Sequence, residues 1–204
     1  MIDALLGSMS CIKFRSEQLQ HKIDREQLAW KLIREYKGAY TVKNLNRIFD
    51  IVDKTARNKR WFGPLLADPN RNNIFSHSIE LINKWIDVLL FSGKQPIQML
   101  NTCISEIHIS GANKGLATLL LYLSDPSLYN IWLPSIERGL VELGEIKRFR
   151  GNDYSTYYQC FNNAAINIRN RYGLQPQEVD WALSFIPAYI KDDGIAKSHP
   201  VIIS

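Results

Sequence analysis

Ser110-Gly111-Ala112-Asn113, followed by Lys114-Gly115-Leu116-Ala117-Thr118-Leu119-Leu120-Leu121-Tyr122-Leu123, is the stretch that decides the architecture. The ten residues from Lys114 carry almost no polar stripe. A helix that is apolar nearly all round has no solvent face and must be covered on every side, so it belongs at the centre. The four residues before it form a tight break, because Gly111 lets the backbone turn where a side chain would clash.

The flanking sequence repeats the helical period. Upstream, Pro96 is tolerated in a first turn, so Ile97, Leu100, Ile104 and Ile107 predict a helix leading into the break. Ser76 or Ser78 can cap the helix before that, with Ile79, Ile82, Ile86 and Leu89 on one side and Gly93 ending it. Residues 14–36 read as one helix through Leu19, Ile23, Leu28, Leu32 and Ile33, and Thr41 caps another through Val42, Leu45, Ile48, Phe49 and Val52. Gly63, Pro64, Asp68, Pro69 and the run Asn70-Arg71-Asn72-Asn73 read as a loop. Downstream, helices are expected over about 134–143, over about 154–172 from an Asp153 cap to Gly173, and from Gln175-Pro176-Gln177-Glu178 through Trp181, Leu183 and Ile186. No strand pair and no repeat is visible. The expectation is an all-α chain of about eight helices, one domain over residues 1–204, with a hairpin-containing lobe at about 95–150.

Composition narrows the function classes. The chain has 204 residues, 46% hydrophobic and 22% charged, which is an ordinary globular balance rather than a disordered one. A formal net charge of +5 favours polyanionic partners over acidic proteins. Cys11, Cys103 and Cys160 are too scattered for a disulfide framework or a metal site, so a reducing cytoplasm, no metal and no cofactor are expected. No apolar run reaches membrane-spanning length, and residues 1–10 lack the basic start of a signal peptide.

The break itself carries the chemical information. Amides at the start of the helix that follows can hold a phosphate oxygen, and Lys114 adds a positive charge there. Ser110, Gly111, Asn113, Lys114 and Gly115 are therefore the expected phosphate-binding residues, which the resemblance described next makes DNA contacts, with Lys114 read as a phosphate contact ahead of a nucleophile. Ile109-Ser110-Gly111-Ala112-Asn113-Lys114-Gly115-Leu116-Ala117 resembles the helix-hairpin-helix of the DNA glycosylase superfamily that includes endonuclease III-like and archaeal 8-oxoguanine enzymes. That family's pattern is apolar-Pro-Gly-apolar-Gly-x-Lys-x-Ala. Ile109, Gly111, Ala112 and Ala117 match it, whereas Ser110 replaces the proline and Asn113 the second glycine. Ile136 and Arg138 fit the segment after the family's catalytic aspartate, and the matched region covers about residues 104–144. The lysine position holds Gly115, with Lys114 one residue early, and the aspartate position holds Leu133.

The resemblance thus implies a glycosylase-like helical bundle and a monofunctional hydrolase, in which one carboxylate steadies an oxocarbenium-like sugar. Glu137 and Asp125 are the first candidates for that acid, with Lys114 beside them; Asp153 and Asp68 follow. Lys147, Arg148 and Arg150, and the stretch from Arg57 to Trp61, would contact DNA. Trp61, Trp132, Asn70 and Arg71 would surround an extruded base. Tyr154, Tyr157 and Tyr158 are read as core, and His21, His77, His108 and His199 are given no role. Ala117-Thr118-Leu119-Leu120, with Asp125 to Trp132 after it, is similar to a segment of bacterial restriction and phage-defence proteins. The two resemblances together imply a monomeric enzyme acting on double-stranded DNA. Its target would be a modified or damaged base, at the sharpest the glucosylated hydroxymethylcytosine of phage DNA. The alternative is a non-catalytic module that binds modified DNA within a defence system.

Overall fold

The computed structural model describes residues 2–55 and 60–198, with side chains as far as residue 189. Eleven α-helices run through it: α1 Ile2–Leu6, α2 Met9–Glu17, α3 Leu19–Glu35, α4 Val42–Asp53, α5 Asp68–Phe75, α6 Ile79–Phe91, α7 Met99–Asn101, α8 Lys114–Ser124, α9 Pro134–Glu142, α10 Tyr154–Tyr172 and α11 Pro176–Ser198. Among the described residues there is no strand, only an isolated bridge between Lys54 and Arg60. No helix among them is long and apolar enough to cross a membrane.

α8 occupies the centre, as its composition requires: every residue from Gly115 to Leu123 is buried. α3 and α6 pack on it, α4 lies along α3, and α9 is backed by α11. The caps follow the sequence. Thr41 and Asn44 exchange side-chain-to-backbone bonds, Ser78 caps α6 and Asp153 caps α10. The Glu178 carboxylate accepts the Gln175 amide at 2.8 Å, closing the box at the start of α11.

The helices depart from the expected eight at three places, the first two of which raise the count to eleven. First, residues 14–36 divide at Gln18, which leaves helical geometry (φ −125°), and a further helix, α1, precedes them. Second, Asn70 to Asn73 are helical, not loop. Asparagine is a poor helix former, but Pro69 sits in the first turn of α5, where its missing N–H is no loss, and Arg71 and Ile74 turn inward to fix the rest. Third, the single helix expected after Pro96 is a 3-10 turn (Pro96–Gln98), α7 and a π turn (Thr102–Glu106) in succession.

Two packing details set the stability of this frame. In α9, a Cβ at Gly139 would stand 2.1 Å from the Leu183 carbonyl oxygen of α11. Backbone cannot yield as a side chain can, so Gly139→Ala is expected to lower stability by about 1–3 kcal/mol, read as a depressed thermal midpoint. The second detail is a buried polar cluster. Lys22 of α3 pairs with Glu26 one turn on and with Asp180 of α11 at 3.2 Å. Glu26 also accepts the Tyr122 hydroxyl of α8 (2.8 Å) and the Gln177 amide (3.1 Å). Lys22 and Glu26 are 2% and 4% exposed, so the three helices are joined through charges that water does not reach. Burial disfavours the Lys22 ammonium, but Asp180 and Glu26 outweigh it and hold its pKa above the ordinary lysine value.

Candidate functional site

A cavity of about 860 Å³ opens at the N-terminal end of α8. One wall comes from the segment before α5: Trp61, Phe62, Gly63, Pro64 and Leu65, joined by Asn70. Ile104 of the π turn and Asn113, Lys114 and Gly115 form the floor beside the hairpin, and the opposite wall is Trp132, Leu133, Pro134, Ser135, Phe149 and Tyr154. Among the described residues the lining is chiefly aromatic and aliphatic, with the Lys114 ammonium as its one charged group.

Lys114 is the first residue of α8, with Asn113 as cap: the Asn113 side-chain oxygen accepts the Gly115 amide at 2.8 Å. From there Lys114 Nζ reaches back over the Trp132 indole, 3.8 Å from the ring centroid, and donates to Glu137 Oε2 at 3.1 Å. Glu137 lies in the first turn of α9 and is 7% exposed. Its Oε2 also accepts the Trp132 indole N–H at 2.9 Å, and its Oε1 accepts the Phe149 amide at 2.9 Å. The Tyr157 hydroxyl stands 3.1 Å from Oε1 and 2.7 Å from the Lys147 carbonyl, so its one proton is shared between them. Trp132 is in turn stacked on Tyr157, with centroids 4.9 Å apart.

The electrostatics follow from this packing. Burial raises the Glu137 carboxyl pKa, but the Phe149 amide, the Trp132 indole and the Lys114 ammonium overcome that and hold it below the ordinary glutamate value. Burial lowers the Lys114 pKa; Glu137 opposes the change, Arg148 adds to it, and the net direction is down. The result is an anchored carboxylate whose lone pairs are taken up by donors. Beside it stands an amine that gives up its proton more readily than a surface lysine.

The predicted residues divide sharply. Lys114, Gly115, Asn113, Trp61, Trp132 and Asn70 share the cavity. Glu137 sits behind Lys114 rather than in the lining. Asp125 is not near them: it stands past the C-terminal end of α8, about 16 Å from Lys114 at the helical rise, and binds the amide and hydroxyl of Ser127. Arg71 is likewise not part of the base pocket. Its guanidinium is turned inward to the Leu66 carbonyl (2.6 Å) and Asp50 (2.8 Å), because α5 is a helix and not the loop expected. Asp153 is committed to capping α10, and its bonds with Thr156 and Asn101 draw its pKa down to about 2. Asp68 is exposed near Arg60.

The hairpin is half packed and half open. Gly111 (φ +86°) presses on α5, where a Cβ would come within 2.8 Å of the Asn70 carbonyl oxygen, and Asn70 donates to the Gly111 carbonyl at 3.1 Å. The Ser110 amide donates to His77 Nε2 at 2.9 Å, giving that histidine a structural role. Lys147, Arg148 and Arg150 are exposed on the turn that also supplies Phe149. Arg57, Asn58, Lys59 and His199 lie outside the described residues. Phe62, Ile104 and Tyr157 complete the site without having been singled out for it: nothing in local periodicity marks a side chain brought in by a chain reversal or by a π turn. Among the described residues no cluster of His, Cys, Asp or Glu could hold a metal ion. No family model, no curated protein and no solved structure matches this chain.

Proposed function

We propose that the protein is a DNA glycosylase that draws a target nucleotide into the aromatic cavity and cleaves its N-glycosidic bond with Lys114 as the reacting group. The observation that carries this reading is the Lys114–Glu137 pair: a half-buried amine of lowered pKa, held against an aromatic face by an anchored carboxylate and presented to a cavity large enough for a nucleotide. Aromatic walls are what an unstacked base needs in exchange for its lost neighbours, and the exposed Lys147, Arg148 and Arg150 supply phosphate contacts at the rim.

The saturated environment of Glu137 moves the chemistry from the carboxylate to the lysine. Neutral Lys114 Nζ bonds to C1′ as the bond from C1′ to the base breaks. The base leaves with one amine proton, and the second passes to O4′ as the sugar opens, leaving a protein-bound imine. Glu137 keeps the side chain aimed and stabilises the cationic states on either side of that step. A second reading, a non-catalytic module for modified DNA, is favoured by the same ion pair if the ammonium never leaves it.

The two readings separate in one assay. Duplexes carrying glucosylated hydroxymethylcytosine, hydroxymethylcytosine or unmodified cytosine are incubated with protein, then treated with hot alkali or with borohydride. The enzyme reading expects strand cleavage at the modified base and a borohydride-trapped adduct. Tight binding of a modified duplex with neither product would establish the module. The pH profile adds a signed prediction. Reaction requires the neutral amine, so the rate is expected to rise with pH through the lowered Lys114 pKa and then level off. Glu137 acts to raise that pKa. Glu137→Gln is therefore expected to move the rising limb to lower pH while reducing the plateau by about a hundredfold.

A further inference from the structure

Next to the main cavity, and sharing Pro134 with it, lies a smaller pocket of about 190 Å³ with Arg138 and Arg148 in its wall. Glu137, Val141 and Glu142 complete the lining. Arg138 follows Glu137 on α9. Arg148 lies on the turn before α10, and both of its neighbours are pinned. The Lys147 carbonyl accepts the Tyr157 hydroxyl at 2.7 Å, and the Phe149 amide donates to Glu137 while its ring sits 5.2 Å from that of Trp132.

Arg15, Arg25, Arg60, Arg71, Arg169 and Arg171 each bond a carboxylate or a carbonyl. Five arginines among the described residues, Arg34, Arg47, Arg138, Arg148 and Arg150, bond no carboxylate or carbonyl, and of these only Arg138 and Arg148 line this recess together. Glu137, the nearest buried carboxylate, is already taken by Lys114, Trp132 and Phe149. With Glu137 paired to Lys114, the two guanidiniums are opposed in this recess by Glu142 alone, which leaves a net positive charge there. The guanidinium fork matches the oxygens of a phosphate. The volume is below the roughly 300 Å³ at which sites for drug-sized ligands begin, so it suits a single tetrahedral anion and not a base.

We infer that Arg138 and Arg148 form a clamp for one backbone phosphate of the nucleic acid, adjoining the nucleotide held in the main cavity. This rests on the nucleic-acid reading above. Glu142, on the pocket rim, opposes the ligand and limits its affinity.

The test is duplex binding as a function of salt, with the wild type, R138Q/R148Q, Glu142→Gln and the remote control Lys94→Gln. The double variant is expected to lose at least about tenfold in affinity at low salt, and its plot of log affinity against log salt should be shallower by about one. Glu142→Gln should tighten binding severalfold, and Lys94→Gln should match the wild type. Parallel salt plots for the wild type and the double variant would overturn the clamp, as would a wild type that binds no duplex. Abasic product is scored on the same samples. Product from the wild type with parallel salt plots defeats the clamp alone. A shallower plot for the double variant with no product from any duplex defeats the glycosylase reading alone.

Discussion

Lys114→Met is expected to abolish base release, with a rate loss on the order of 10³ or more, and to eliminate the borohydride-trapped adduct. The substitution keeps an apolar stem over the Trp132 ring, which Lys114 now covers at 3.8 Å. Glu137 retains its Trp132 and Phe149 donors, so the fold around it should persist and duplex binding should change far less than catalysis. Lys114→Arg is the sharper variant. It preserves the positive charge and can still reach the carboxylate, but a guanidinium does not deprotonate at workable pH and cannot form the imine. Loss of activity equal to that of the methionine variant supports nucleophilic attack. Activity within tenfold of wild type in the arginine variant would show that position 114 supplies only charge. Water would then be the attacking group, as the monofunctional expectation had it.

Lys22→Met is expected to produce the largest stability loss of any single substitution proposed. It removes the cation that Glu26 and Asp180 share and leaves Glu26 buried with only the Tyr122 hydroxyl and the Gln177 amide as donors. Breaking a buried pair from one side typically costs about 3–5 kcal/mol, because an uncompensated charge stays behind. In a chain of this size that corresponds to a fall of roughly 6–20 °C in the thermal midpoint. The companion variant K22M/E26L/D180N removes the charges together and should recover most of the loss. If it is no more stable than Lys22→Met, the cluster matters for its shape and not for its charge balance. Trp61 and Phe62, each 5.9 Å from Lys22 Nζ, line the cavity, so the same measurement reports how firmly that wall is backed.

Much of the site was legible because it depends on neighbours in the chain. Asn113, Lys114 and Gly115 meet at a helix start, and Trp132 and Glu137 lie within two turns of one another, so their nearness is a matter of local geometry. Distance along the chain hid the remainder. Tyr157 reaches Glu137 from 20 residues away, Phe149 from 12, and neither separation carries a periodic signal. Asp125 was a reasonable candidate by sequence position, yet a rigid 11-residue helix holds it away from the lysine.

The amino-acid sequence by itself determined that the chain is helical and that the helix from Lys114 lies at its centre, since an apolar surface on every side admits no other place. It also determined most helix starts, through the side chains of Thr41, Ser78 and Asp153. Tertiary structure alone decided which acid stands by the lysine, that Arg71 faces inward, and that Arg138 and Arg148 share a pocket. Those outcomes depend on the relative placement of α5, α8, α9 and the 147–150 turn. That placement is set by close packing and by the saturation of buried charges over the whole molecule, and no single stretch of chain encodes it.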